Sequence, residues 1–104
     1  MTGLLHVVLL AQFSGSTSDE MKSALDNVRD LGVLDAVDWI VAGKDVSVEG
    51  MQTGFTHAIV ARFAGPSERD RYLSAPSHIA AGKQLANHAA SIAIIDVDIP
   101  GDDA

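Results

Sequence analysis

Cysteine is absent from the 104 residues, and with it go disulfides, thiolate nucleophiles, iron–sulfur clusters and cysteine-ligated zinc. A reducing cytoplasm is the compartment that such a composition suits. Basic residues are scarce: 7 Lys and Arg stand against 14 Asp and Glu, a net charge of −7. A protein that neutralises phosphates needs the opposite sign, so nucleic acid is not an expected partner. Long hydrophobic runs are missing too. The apolar stretch over residues 4–11 is interrupted by His6, lacks a basic segment before it and is far short of a bilayer span, so neither export nor membrane crossing is expected. Proline occurs 3 times, and two of the three, Pro66 and Pro76, sit where they open helices.

What is present describes one soluble core. With 47% hydrophobic and 20% charged residues the chain is too apolar for disorder. At 10.9 kDa it has room for a single domain, and a chain of this size buries roughly 65% of its unfolded surface. The core is expected over residues 4–99, with 100–104 a short acidic tail; no repeat or linker interrupts it. Aliphatic residues over 4–13, ahead of Ser14-Gly15-Ser16, read as a strand. Thr17 and Glu20 then form a capping-box pattern before Met21, Ala24, Leu25, Val28 and Leu31, a helical stripe that stops at Gly32. Strands follow over 37–42 and 55–63, joined by a long loop over 43–54 that holds three glycines. Helices are predicted over 66–73 and 76–90, and a last strand over 91–99.

The order β-α-β-β-α-α-β is a ferredoxin-like α+β pattern: a four-stranded, mostly antiparallel sheet under one helical layer. An antiparallel sheet with one wet face should alternate polar and apolar residues. The first strand does not: Leu5, Val7, Leu9 and Ala11 point one way, His6, Val8, Leu10 and Gln12 the other. The last strand repeats this with Ala93, Ile95, Val97 and Ile99 opposite Ile92 and Ile94. Burying four such side chains is worth about 6 to 12 kcal/mol, too much to leave in water. A second copy is therefore expected to cover the bare face, giving a homodimer through the sheet; the alternative is that the 43–54 loop wraps over it.

Four histidines are the candidate chemistry. His6 and His57 lie in strands among aliphatic neighbours and need hydrogen-bond partners there. If their strands are adjacent and their faces coincide, both imidazoles enter one pocket under the helices. His78 follows Pro76 and Ser77 in a first helical turn, where the helix dipole disfavours the imidazolium and leaves a neutral base. Tyr72, near the end of the preceding helix, can fold beside it across Ser74-Ala75-Pro76; a phenol next to a neutral imidazole can donate to a carbonyl while the imidazole removes a proton. As structural residues, Tyr72 would be an amphipathic ring at an interface, and His6 and His57 satisfied core histidines. His88, late in a predicted helix, reads as a C-terminal charge complement. Ser14 and Ser16 are turn residues with no triad partner in view. No phosphate loop or dinucleotide fingerprint is present, no histidine pair has zinc-ligand spacing, and neither cofactor nor metal is expected.

Leu5-His6-Val7-Val8-Leu9-Leu10, Gly54-Phe55-Thr56-His57-Ala58-Ile59-Val60, Tyr72-Leu73-Ser74-Ala75-Pro76-Ser77-His78 and Ile94-Ile95-Asp96-Val97 together resemble the stress-responsive A/B barrel (Dabb) domain. The resemblance spans residues 4–99. It implies ferredoxin-like units paired as a dimeric α+β barrel, with helices outside. It also implies a comparison with a plant polyketide cyclase of that family, which performs a cofactor-free aldol condensation. On that comparison Tyr72 and His78 are catalytic, and His6 and His57 contact substrate. Ala75 departs from the family, which usually carries a histidine there. Three functions follow as expectations: a cofactor-free cyclase acting on a small apolar or polyketide-like molecule, a non-catalytic stress-associated or ligand-binding dimer, and a cofactor-free monooxygenase. A small-molecule site calls for a cavity of at least about 300 Å³ lined by all four side chains.

Overall fold

A computed structural model describes residues 3–101; Asp102, Asp103 and Ala104 of the expected tail lie outside the described residues. The strands are β1 (Gly3–Gln12), β2 (Trp39–Lys44), β3 (His57–Phe63) and β4 (Ala89–Ile99), and the helices α1 (Ser18–Arg29), α2 (Pro66–Ser74) and α3 (Pro76–Ala86). They form one sheet in the order β2-β3-β1-β4, with every neighbouring pair antiparallel. This is the ferredoxin-like α+β architecture expected.

Local chemistry accounts for the element ends. At the start of α1 the Glu20 amide donates to Thr17 Oγ1 (3.1 Å) and the Thr17 amide donates to Glu20 Oε1 (2.8 Å), a complete capping box. Beyond Arg29 the chain tightens into a 3₁₀ turn, Asp30–Val33, rather than running as α-helix to Gly32. The last helix departs further from expectation, ending at Ala86 instead of near residue 90. Ala89 and Ala90 favour helix in isolation, but Ala89 pairs with Gln12 and the Phe13 amide donates to the His88 carbonyl (2.8 Å). Sheet pairing overrides propensity there. Gly15 permits the turn after β1, since a Cβ would stand 2.4 Å from the Phe13 ring.

The core lies between the helices and one face of the sheet. Leu4, Val8 and Leu10 of β1 and Ile59, Ala61 and Phe63 of β3 pack against Met21, Ala24, Leu25 and Val28 of α1, with Tyr72 and Leu85 closing the other side. The opposite face is also apolar and stays open: Trp39, Val41, Ile95 and Val97 are 43, 57, 60 and 50% exposed. The β2–β3 loop does not wrap over it. The loop leans only on the Leu9 and Ala58 end of the sheet and leaves its own Val46, Val48 and Met51 in solvent.

Candidate functional site

Cross-strand register places the site. His6 of β1 stands opposite Ala61 of β3 and Asp96 of β4, on the helix-covered face, and is only 4% exposed. A buried imidazole needs partners, and Asp96 supplies one: His6 Nδ1 lies 2.7 Å from Asp96 Oδ1. A carboxylate can only accept, so Nδ1 carries a proton, and in the neutral ring Nε2 holds the lone pair. Arg69 of α2 holds the other carboxylate oxygen, with Nη1 donating to Asp96 Oδ2 at 3.0 Å.

Tyr72 and His78 reach the same place from the helix break. Ala75 ends α2 and precedes α3 in extended conformation (φ −64°, ψ 132°), so the last turn of one helix faces the first turn of the next. The two rings lie 4.5 Å apart between centroids, and Tyr72 is 6.2 Å from His6 and 5.0 Å from Phe63. His78 Nδ1–H donates to the Leu73 carbonyl (3.2 Å), again leaving Nε2 bare. Burial lowers the His78 pKa; the Leu73 carbonyl opposes this and the nearby His6 adds to it. The neutral base expected at this position thus owes its character chiefly to desolvation. Burial likewise pushes the Tyr72 phenol up to about 12, which keeps it a hydrogen-bond donor. The Tyr72 hydroxyl has no hydrogen-bond partner among the described residues.

These three side chains line a cavity of about 230 Å³ whose remaining walls are aliphatic, including Val8, Ile59, Leu85 and the exposed Ile92 and Ile94. Larger hollows lie elsewhere. One of about 460 Å³ between α1 and α3 has Asn27, Asp30, Ser77 and Gln84 but no imidazole or phenol. Another, of about 320 Å³, lies beneath the β2–β3 loop. Chemistry rather than volume singles out the smaller one, which also falls below the size of about 300 Å³ at which drug-sized pockets begin.

His57 is not brought to this cavity. It shares the face of His6, as adjacent strands allow, but stands opposite Leu10 and Lys44. Four residues of strand separate it from His6, about 14 Å. Thr56 Oγ1 donates to the Leu10 carbonyl (3.2 Å) and takes the His57 Nδ1–H (2.8 Å), while burial and then Lys44 lower the His57 pKa. Phe55, at which this strand was expected to begin, lies ahead of β3. His88 lies past the end of α3 rather than within it, and its Nδ1 sits 2.8 Å from Ser16 Oγ. Ser16 thus has an imidazole partner that the sequence did not reveal, though neither residue lines the cavities described above. Asp96 and Arg69 were also missed. The available signal was a pair of carboxylates, Asp96 and Asp98, inside an aliphatic strand, of which only the register singles out Asp96 as the one opposite His6. Among the described residues no three His, Asp or Glu side chains gather as a metal site, and no helix is long and apolar enough to cross a membrane.

Fold and site define a class: a ferredoxin-like α+β domain whose helices roof a small apolar cavity carrying two imidazoles and a phenol. The chain belongs to the stress responsive A/B barrel domain (Dabb) family, which it matches over residues 4–99. The Arabidopsis thaliana protein At3g17210 superposes with a TM-score of 0.83 at 21% identity, covering 90% of this chain and 92% of that one. A dimeric ferredoxin-like protein from Thermobifida fusca gives 0.82 at 19% identity, with 94 and 92% covered. The hydroxynitrile lyase of Passiflora edulis gives 0.87 at 18% identity, with 95 and 94% covered. SnoaB, a cofactor-independent oxygenase from Streptomyces nogalater, gives 0.74 at 8% identity, with 91 and 90% covered. At these identities the likeness is one of fold. No curated protein matches the chain at a significant level.

Proposed function

We propose that this protein is a cytoplasmic homodimer, paired through the open sheet face, whose cavity binds a small apolar or polyketide-like molecule and catalyses a cofactor-free aldol-type cyclisation. The observation that carries the reading is the meeting of Tyr72, His78 and His6 around one apolar space, each imidazole with Nδ1 occupied and Nε2 free. His78 Nε2 takes a proton from the carbon between two carbonyls; the resulting enolate carbon attacks a third, more distant carbonyl of the same molecule, whose C=O π bond opens to an alkoxide. Tyr72 donates to the oxygen that gains charge, and the imidazolium returns its proton to that oxygen. His6 orients the substrate. A substrate that also touched His57 would have to run about 14 Å along β1. The dimeric and lyase relatives support pairing and carbon–carbon bond chemistry respectively.

Turnover of β-polyketide-like thioesters tests the reading. Tyr72→Phe and His78→Ala are each expected to lower the rate at least roughly 100-fold, the usual scale for a lost general base or oxyanion donor. Unchanged rates in both would remove the proposed base and donor. The limited cavity volume favours a second reading, a dimer that holds a small ligand without reacting it. In that case binding persists in the absence of any turnover. Oxygen uptake on anthrone-like compounds is the corresponding assay for a monooxygenase.

A further inference from the structure

We propose that Arg69 and Asp96 are positioning residues that lock His6 in its Nδ1–H form, so that Nε2 is a standing acceptor in the cavity and selects ligands bearing a hydroxyl or enol donor. The inference deepens the reading of the same site. Its geometry is a chain of three groups from three elements. Arg69 Nη1 donates to Asp96 Oδ2 at 3.0 Å, and Asp96 Oδ1 accepts from His6 Nδ1–H at 2.7 Å. His6 lines the cavity, and Nδ1 is taken by Asp96, so Nε2 is the nitrogen left to meet a ligand.

Arg69 matters because it distinguishes the two carboxylate oxygens. A guanidinium has donors only and will always claim an acceptor. It is itself anchored, with Nε donating to Asp70 Oδ1 at 3.1 Å. In Asp96→Asn the amide oxygen should therefore stay on Arg69 and the NH₂ should turn to His6. A donor facing Nδ1 forces the proton to Nε2, and the cavity acceptor becomes a donor. Removing Arg69 as well frees the amide to rotate, and its oxygen can again take Nδ1–H. The cavity as built offers one donor, the Tyr72 hydroxyl, and two acceptors, Nε2 of His6 and of His78. Its complement is a small apolar molecule with one carbonyl oxygen and at least one hydroxyl or enol.

The test reads the tautomer directly and needs no substrate. Histidine ring ¹⁵N spectra at about pH 8.5, some two units above the ordinary imidazole value, should show His6 Nδ1 protonated and Nε2 bare in the unaltered protein. Asp96→Asn should invert this, and Asp96→Asn with Arg69→Ala should restore part of the Nδ1–H signal. Both nitrogens protonated, or Nε2–H in the unaltered protein, would overturn the lock, as would an unchanged tautomer in Asp96→Asn. Should Asp96→Asn not fold, the unaltered protein and Arg69→Ala with Asp96 intact still decide it: Nδ1–H is required in both, and Nε2–H in either would overturn the lock. Phenol and anisole then probe the ligand class. Phenol should shift the His6 Nε2 resonance and bind roughly five- to tenfold more weakly to Asp96→Asn; anisole, without a donor, should do neither. Equal responses to the two, or no binding of phenol, would overturn the class. None of these results depends on turnover, so the tautomer can stand where the proposed cyclisation fails, and the reverse.

Discussion

At the scale of single residues, desolvation sets the chemistry. Tyr72 and His78 are both kept neutral because both are taken out of water, not because either meets a strong charge. The same burial has a stability consequence. The His57 and His78 pKa values lie below 6.5 in the folded chain, so between the folded values and 6.5 the unfolded chain binds more protons. Stability then rises with pH across that window. It is fully present above about 6.5 and is lost as the pH falls through the folded values. Urea unfolding should therefore show a lower midpoint at about pH 5.5 than at about pH 8, and the double variant His57→Gln, His78→Gln should flatten the difference. Glu20, Asp26 and Asp45, held down by hydrogen bonds, act only below their ordinary values of 4.5, 3.8 and 3.8, a separate window.

At the scale of elements, the sequence was legible where local signals agree with the fold and misleading where pairing decides. The Thr17-to-Glu20 capping box marked the start of α1, and the Pro76 break put Tyr72 near His78, because both are properties of a few consecutive residues. Thr17→Ala should accordingly destabilise the chain by about 1 kcal/mol, measurable by urea unfolding. The α3–β4 boundary was misplaced because Ala89 answers to Gln12, 77 positions away in the chain. The site suffered from the same blindness. Parity left open whether His6 and His57 share a face; they do, on adjacent strands, yet the expected common pocket does not follow, because the register, His6 opposite Ala61 and His57 opposite Leu10, separates them. Register also unites His6 with Asp96, and no spacing along the chain could have shown it.

At the scale of the whole molecule, the account turns on a sheet that is apolar on both sides while its helices cover only one. Trp39, Val41, Ile95 and Val97 spread across β2 and β4 on the open face, and half-buried Leu5, Val7 and Leu9 lie between them. An apolar surface of this extent, broken on β3 by Arg62, is the kind that a protein covers with a partner, and structural neighbours of the same fold are dimeric. Ile95→Lys places a charge in the middle of that face, where burial without a counter-charge is costly, and the variant should be monomeric. The most direct measurement is the particle mass in solution at micromolar concentration, by sedimentation or light scattering. The account predicts twice 10.9 kDa for the unaltered chain and half that for Ile95→Lys. A well-behaved particle of 10.9 kDa for the unaltered chain would contradict it.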